Sequence, residues 1–317
     1  MIRHFRKACC IFLFLFAFRS SYAQTGIGIL SKEETDSLIV NYCRELNQIY
    51  FNKPLAKKIT DTLQKKLKAG QFYKVERLTN HLSLLLRKLT NDIHFYIGIN
   101  SPANNTPAST EAAPEIKMGG LTEVKLINNN IGYIKWNEFI ADDNSFQQII
   151  AALQFVKGCK YLLFDISQCP GGDGRMGGFM ARHLFEDNDY QDVLRKKCTG
   201  EKEWHQSEVP YNYSGGPKFY DIPVYVITSK NTASAAEYFA LIMQETKRGT
   251  ILGDTTAGAG NPITMVTFGN YFAYIPICEI ITKDGKSIES KGVVPDVKLT
   301  NSDLIKETIE YIKSHPY

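Results

Sequence analysis

The sequence predicts an α/β protein with a helical N-terminal region, and three observations carry that prediction. Over residues 31–92 apolar side chains recur at helical spacing, as in Leu78, Leu82, Leu85, Leu86 and Leu89. From about residue 121 short β-rich runs alternate with helical stretches, the pattern of helices packed on a sheet. Between the two, SPANNTPASTEAAPE (101–115) has no periodicity and is rich in Pro, Ser, Thr, Asn and Ala, which marks a linker or exposed loop.

Taken in order, the first region should hold helices near 31–50, 54–68 and 71–90, with Ser31 and Glu34 spaced as a capping box. In the second region IGYIKW (131–136) reads as a strand, followed by a helix near 144–157, the strand YLLFDI (161–166) and a helix near 175–185. PVYVITS (223–229), a helix near 233–247, TILGD (250–254) and a hairpin over 263–281 complete the series. No internal repeat is visible. The organisation that follows is a helical cap over 24–100, a linker over 101–118 and an α/β core over 119–317.

Residues 1–23 have the three parts of a secretory signal: basic MIRHFRK, the apolar run ACCIFLFLFAF, and RSSYA with small Ser21 and Ala23 before an expected cleavage at Gln24. Its apolar run is too short to span a bilayer, which needs about 20 residues. The mature chain should therefore be soluble and exported, to the periplasm or outside the cell. The formal charge of +4 comes from that segment, since Arg3, Arg6, Lys7 and Arg19 lie in it and no acid does. A neutral mature chain lacks the broad positive field that nucleic-acid or anionic-membrane partners need. Five cysteines remain, Cys43, Cys159, Cys169, Cys198 and Cys278. They are too widely spaced for a disulfide framework or a zinc site, and their pairing is open.

Chemistry concentrates in a few segments. FDISQCPGGDGRMGG (164–178) places Gly172, Gly174 and Gly177 in G-x-G-x-x-G spacing, but five residues, Ile166 to Pro170, separate Asp165 from the loop's first glycine, Gly171, and no apolar strand ending in an acid follows the helix. That argues against a dinucleotide site and leaves a glycine loop whose N–H groups can hold a phosphate or an oxyanion. In ITSKNTASAAEYFALIM (227–243), Ser229, Thr232 and Ser234 can each be an N-cap; a nucleophile also suits a helix N-terminus, where the dipole favours negative charge. No G-x-S-x-G elbow exists. Among the histidines, His94 stands out because LTNDIHFYIGI changes there from helical to extended pattern. No H-E-x-x-H motif or Cys/His cluster is present, so neither metal nor cofactor is expected.

Together these segments resemble the C-terminal-processing (tail-specific) serine peptidase family, in its tricorn-core and interphotoreceptor-retinol-binding-protein-like branch. FDISQCPGGDG is similar to that family's strand, acid and double-glycine loop, TSKNTASAAEYFA to its nucleophile segment, GDTTAGAGNP to its glycine-threonine loop, and SIESKGVVPDV (287–297) to its terminal G-V-x-P-D signature. The resemblance covers about 121–299 and implies a crotonase/ClpP-like α/β core, a polypeptide substrate and a serine acyl-enzyme. It assigns the nucleophile to Ser234 and the oxyanion hole to the Ala235 N–H with Gly171 or Gly172. The lysine of the processing proteases is missing, with Ala259 at its place; the branch's Asp-x-His falls on Asp92 and His94, and its orienting glutamate on Glu289. His94 would be the general base and Glu289 would fix its ring. The usual Asp-Leu-Arg with a following Asn becomes Asp165-Ile166-Ser167 with Cys169. No PDZ domain is expected, because the region before the core is too short for one beside the helices. The alternative is a non-catalytic protein that binds an apolar ligand or peptide on the same fold.

Overall fold

Ser31 starts the first helix as its spacing requires: its hydroxyl accepts the Glu34 N–H and the Glu34 carboxylate accepts the Ser31 N–H. The computed structural model describes residues 28–100, 119–128, 130–207 and 215–316; the expected export signal and the linker at 101–118 lie outside the described residues. Helices α1 (Lys32–Ile49), α2 (Lys53–Lys68) and α3 (Leu78–Thr90) lead into strand β1 (Tyr96–Ile99). The third helix begins seven residues later than its periodicity suggests. Lys74 and Arg77 take positive φ (67° and 50°), which a continuing helix cannot absorb.

The core opens with β2 (Leu121–Ile127), β3 (Ile131–Trp136), α4 (Asp143–Phe155), β4 (Tyr161–Asp165) and α5 (Gly174–Ala181). After β5 (Leu194–Cys198) and β6 (His205–Gln206) come β7 (Val224–Thr228), α6 (Ala235–Glu245) and β8 (Gly249–Gly253). The chain continues through β9 (Ile263–Phe268), β10 (Tyr271–Pro276), β11 (Cys278–Thr282), β12 (Val297–Lys298) and α7 (Leu304–Ser314).

Six strands form the central sheet in the order β12-β8-β7-β4-β3-β2, all parallel except β2, which runs antiparallel to β3. Its inner strands read as continuous apolar runs because both faces are covered. Leu162, Phe164, Val226 and Ile251 pack with α4, α5 and α6, while Leu163, Tyr225, Ile227 and Leu252 pack with Ile312 of α7. The loops after β4 and β7 leave from the carboxyl ends of adjacent parallel strands, where open α/β sheets bind their ligands.

The helical region does not bury its apolar stripes alone. β1 pairs with β10, and β10 with β9, so a hairpin from the core segment supplies the sheet against which α1–α3 pack. Leu38, Leu46, Leu82, Phe95 and Ile97 share one cluster with Phe268, Ala273 and Ile275. The physical reason is area: three amphipathic helices leave an uncovered apolar face, and the antiparallel hairpin offers a matching one.

A third sheet, β11-β5-β6, carries a disulfide between Cys198 and Cys278, which face each other in the β5–β11 register. Cys43, Cys159 and Cys169 are buried free thiols. Because the cross-link joins residues 80 apart in sequence, its loss should destabilise the fold by about 2–4 kcal/mol. Urea denaturation with and without dithiothreitol checks this, and coincident midpoints would contradict it.

Candidate active site

Ser234 is the N-cap of α6 and has φ 54° and ψ −126°, a backbone state that L-residues avoid and that persists only where the surroundings fix it. They do so through Glu237. This fully buried carboxylate accepts the Ser234 N–H (2.9 Å) and the Ala259 N–H (2.8 Å) on one oxygen, and the Gly258 N–H (2.7 Å) and the Thr256 hydroxyl (2.5 Å) on the other. One side chain thus ties the start of α6 to the glycine-threonine loop after β8.

The rival hydroxyls are committed elsewhere. Ser229 Oγ donates to the Ser167 carbonyl, and Thr232 Oγ1 donates to the Ile166 carbonyl at 2.8 Å, so both hold the β7–α6 loop to the β4–α5 loop. Ser234 Oγ donates to no protein acceptor among the described residues, and Ser234 lines a cavity of about 540 Å³.

Gly171 and Gly172 sit beside it with φ of 97° and 130°. A Cβ on Gly171 would lie 2.6 Å from the Ala233 carbonyl oxygen and 2.9 Å from the Ala235 nitrogen, so only glycine allows this approach of loop to helix. Phe139 anchors the loop from the other side, donating to the Gly171 carbonyl (2.7 Å) and accepting from Asp173 N–H (2.8 Å). The N–H groups of Gly171, Gly172 and Ala235 donate to no acceptor among the described residues. Unpaired N–H groups beside a serine at a helix N-terminus form an anion-binding concavity.

His94 lies at the other edge of the site, between α3 and β1. Asp92, itself 2 % exposed, accepts both the His94 backbone N–H (2.8 Å) and the ring Nδ1 (3.0 Å) on Oδ1, while its Oδ2 accepts from the Asn261 side chain (3.2 Å). An N–H on Nδ1 leaves Nε2 as the basic nitrogen. Glu289 joins the group with its carboxylate Oε2 accepting the Gly260 (2.7 Å) and Asn261 (2.9 Å) N–H groups, and its Oε1 is buried without a hydrogen-bond partner. Burial, and next the negative charge of Asp92, push the Glu289 carboxyl up to about 7 against the pull of His94 and the two N–H groups.

Of the residues the sequence singles out, the structure brings Ser234, Ala235 and Gly172 together at the cavity with Gly171 packed against Ser234 and Ala235, and Asp92, His94 and Glu289 within 4.8 Å of one another, ligand atom to ligand atom. The orienting partner of His94 differs from the expected one. Glu289 makes no hydrogen bond to His94 among the described residues: its Oε2 turns to the Gly260–Asn261 backbone and its Oε1 has no partner there, while Asp92 holds the ring. No hydrogen bond joins Ser234 to His94 among the described residues either. Gly260 links the two halves, since it lines the cavity with Ser234 and donates its N–H to Glu289. The Asp92–His94–Glu289 trio also has a donor set suited to a divalent cation, but Oδ1 and Nδ1 face each other as a hydrogen-bonded pair.

Two residues with structural weight in the site went unassigned. Glu237 stands three places after Ser234, the S-x-x-E spacing that signals a carboxylate reaching back to a helix start. Asn261 bridges Asp92 and Glu289, and an asparagine in a glycine loop gives no sequence signal of that kind.

The chain is similar to known peptidases in sequence and in fold. Carboxy-terminal processing protease CtpA of Bacillus subtilis (strain 168) is 27% identical over 182 residues, covering 56% of this chain and 37% of that protein. The chloroplastic C-terminal processing peptidase of Tetradesmus obliquus is 26% identical over 200 residues, covering 63% of this chain and 40% of its own length, so the chain spans about two fifths of such relatives. In fold, the tricorn protease superposes with a TM-score of 0.59 over 89% of this chain and 37% of its own, at 12% identity. The model of peptidase family S41 matches residues 130–299, a span that contains both glycine loops, Ser234, Glu237 and Glu289. More than half of the sequence therefore carries the family pattern, and the chain belongs to peptidase family S41.

Proposed function

We propose that the chain is an exported serine endopeptidase in which Ser234 attacks a peptide carbonyl with His94 as general base. The observation that carries the reading is the strained Ser234 at the start of α6, flanked by the unpaired N–H groups of Ala235 and Gly172 at the cavity. In the first step the Ser234 oxygen forms a bond to the carbonyl carbon, its proton passes to His94 Nε2, and the oxyanion is held by Ala235 N–H with Gly171 or Gly172 N–H. His94 then returns the proton to the leaving amine, and water releases the acyl group by the same route. Asp92 fixes the ring and, with Glu289, stabilises its positive charge. Since His94 belongs to the cap and Ser234 to the core, substrate bound between them closes the pair into hydrogen-bonding distance. The Cys198–Cys278 disulfide supports export to an oxidising compartment.

Hydrolysis of casein by the protein and its Ser234→Ala variant tests the reading, with loss in the variant expected. The pH profile adds a signature. A protonated Glu289 no longer offsets the imidazolium, so kcat/KM should rise with pH as the Glu289 carboxyl ionises at about 7. Glu289→Gln should move or remove that limb. Stability has the opposite slope. A carboxyl held above its ordinary value by the fold binds a proton more tightly than in the unfolded chain, so its contribution is complete below the ordinary carboxylate range and is lost as pH rises to about 7. The mostly apolar cavity favours the second reading, a non-catalytic protein binding an apolar ligand; casein stable to the purified wild type would support it.

A further inference from the structure

Among the described residues that line the cavity beside Ser234, one is charged, Lys196. The cavity wall on one side is the β5–β11 pair, where strand alternation turns Leu194, Lys196 and Cys198 toward the cavity and sets Ile280 opposite Lys196 and Cys278 opposite Cys198. The neighbouring cations on β5 face away and have partners: Arg195 approaches Asp192 at 3.8 Å, and the Lys197 ammonium lies 5.9 Å from the Trp204 ring centroid. Among the described residues Lys196 has neither an ion pair nor a hydrogen bond, and none of those that line the cavity is a carboxylate. An ammonium on an otherwise apolar stripe, half-buried and without a counter-charge among the described residues, is unfavourable for folding, and a stripe built for packing alone would carry an aliphatic residue there.

We propose that Lys196 makes this cavity a specificity pocket for a substrate group that carries a carboxylate on an apolar body. The proposal rests on the peptidase reading, because it is proximity to Ser234 that makes the occupant part of a substrate. Two sources supply that chemistry: the side chain of an acidic residue, and the free carboxylate at the end of a chain with an apolar last residue. In both, the aliphatic part packs on Leu194, Ile280 and the disulfide while the carboxylate meets the ammonium. Discrimination against neutral analogues arises because they leave the ammonium unpaired in the pocket.

Binding to the Ser234→Ala protein, which removes turnover, tests this by calorimetry with two pairs of peptides. Acetyl-Ala-Ala-Leu with a free carboxylate and its amide probe the chain terminus; acetyl-Ala-Ala-Glu-amide and acetyl-Ala-Ala-Gln-amide probe the side chain. At least one charged member should bind tenfold or more tightly than its neutral twin, the pair identifying the source. That ratio should fall to about one when Lys196→Met is added and survive when Lys196→Arg is added. Ratios below twofold for both pairs, absence of binding by all four peptides, or a preference that persists in Lys196→Met overturns the proposal. Casein hydrolysis by the protein with Ser234 intact separates these failures from failure of the peptidase reading: activity with no charge preference removes the role of Lys196 alone.

Discussion

Replacing His94 with alanine is expected to lower kcat/KM by about 10³- to 10⁴-fold, the cost of removing the base from a serine that has no other. No lysine stands in the GDTTAGAGNP loop to take over, and Ala259, at the place where a lysine would serve, is buried with its N–H on Glu237. The fold should survive, because among the described residues the His94 ring bonds only to Asp92, which keeps Asn261 as a partner. Steady-state kinetics with an unchanged thermal transition checks both halves. Activity within tenfold of wild type in a folded variant would move the base elsewhere in the site. Asp92→Asn should reproduce part of the loss, since it disturbs the Nδ1 hydrogen bond and with it the tautomer that leaves Nε2 basic.

Glu237→Ala should produce the largest combined loss of stability and activity. The substitution strands three backbone N–H groups and the Thr256 hydroxyl in a site with no exposure, at a cost of about 3–5 kcal/mol. It also frees Ser234 from the backbone conformation that presents it to the cavity. Glu237→Gln is the informative partner, because it keeps the shape and one acceptor oxygen but points an amide at donors on one side. It should fold with a lowered midpoint and lose activity by about 10²-fold or more. Urea midpoints and hydrolysis rates for the two variants check this, and a Glu237→Gln protein with wild-type rate would show that the carboxylate does not position Ser234.

Most of the core was legible because its strands are short apolar runs bounded by turn chemistry, and parallel pairing makes such runs continuous: VYVIT in β7 is buried along its whole length. Elements without that signature stayed hidden. β5 carries LRKKC and α7 follows a polar turn, and both are held by neighbours distant in sequence, β11 for the first and β7 for the second. The hairpin that completes the cap was visible as a hairpin, but nothing local says that its apolar face meets helices over 170 residues earlier.

The site divides along the same line. Ser234, Gly171 and Gly172 were readable because each sits in a motif whose backbone chemistry is local. The resemblance already singled out Ser234 over Ser229 and Thr232, and the carbonyls that occupy the other two hydroxyls give the physical reason. The partner of His94 depended on which carboxylate turns toward the ring. Asp92 reaches it through a two-residue local bond, while Glu289 spends its oxygen on the Gly260–Asn261 backbone, a contact that requires the two loops to be folded together.

Fluorophosphonate labelling of the purified protein beside its folded Ser234→Ala and His94→Ala variants tests the central claim most directly, because the reagent bonds to a serine activated as a nucleophile. The account predicts labelling of the wild type on Ser234, none in Ser234→Ala, and strongly slowed labelling in His94→Ala. An unlabelled wild type, or labelling that persists in folded Ser234→Ala, would contradict it.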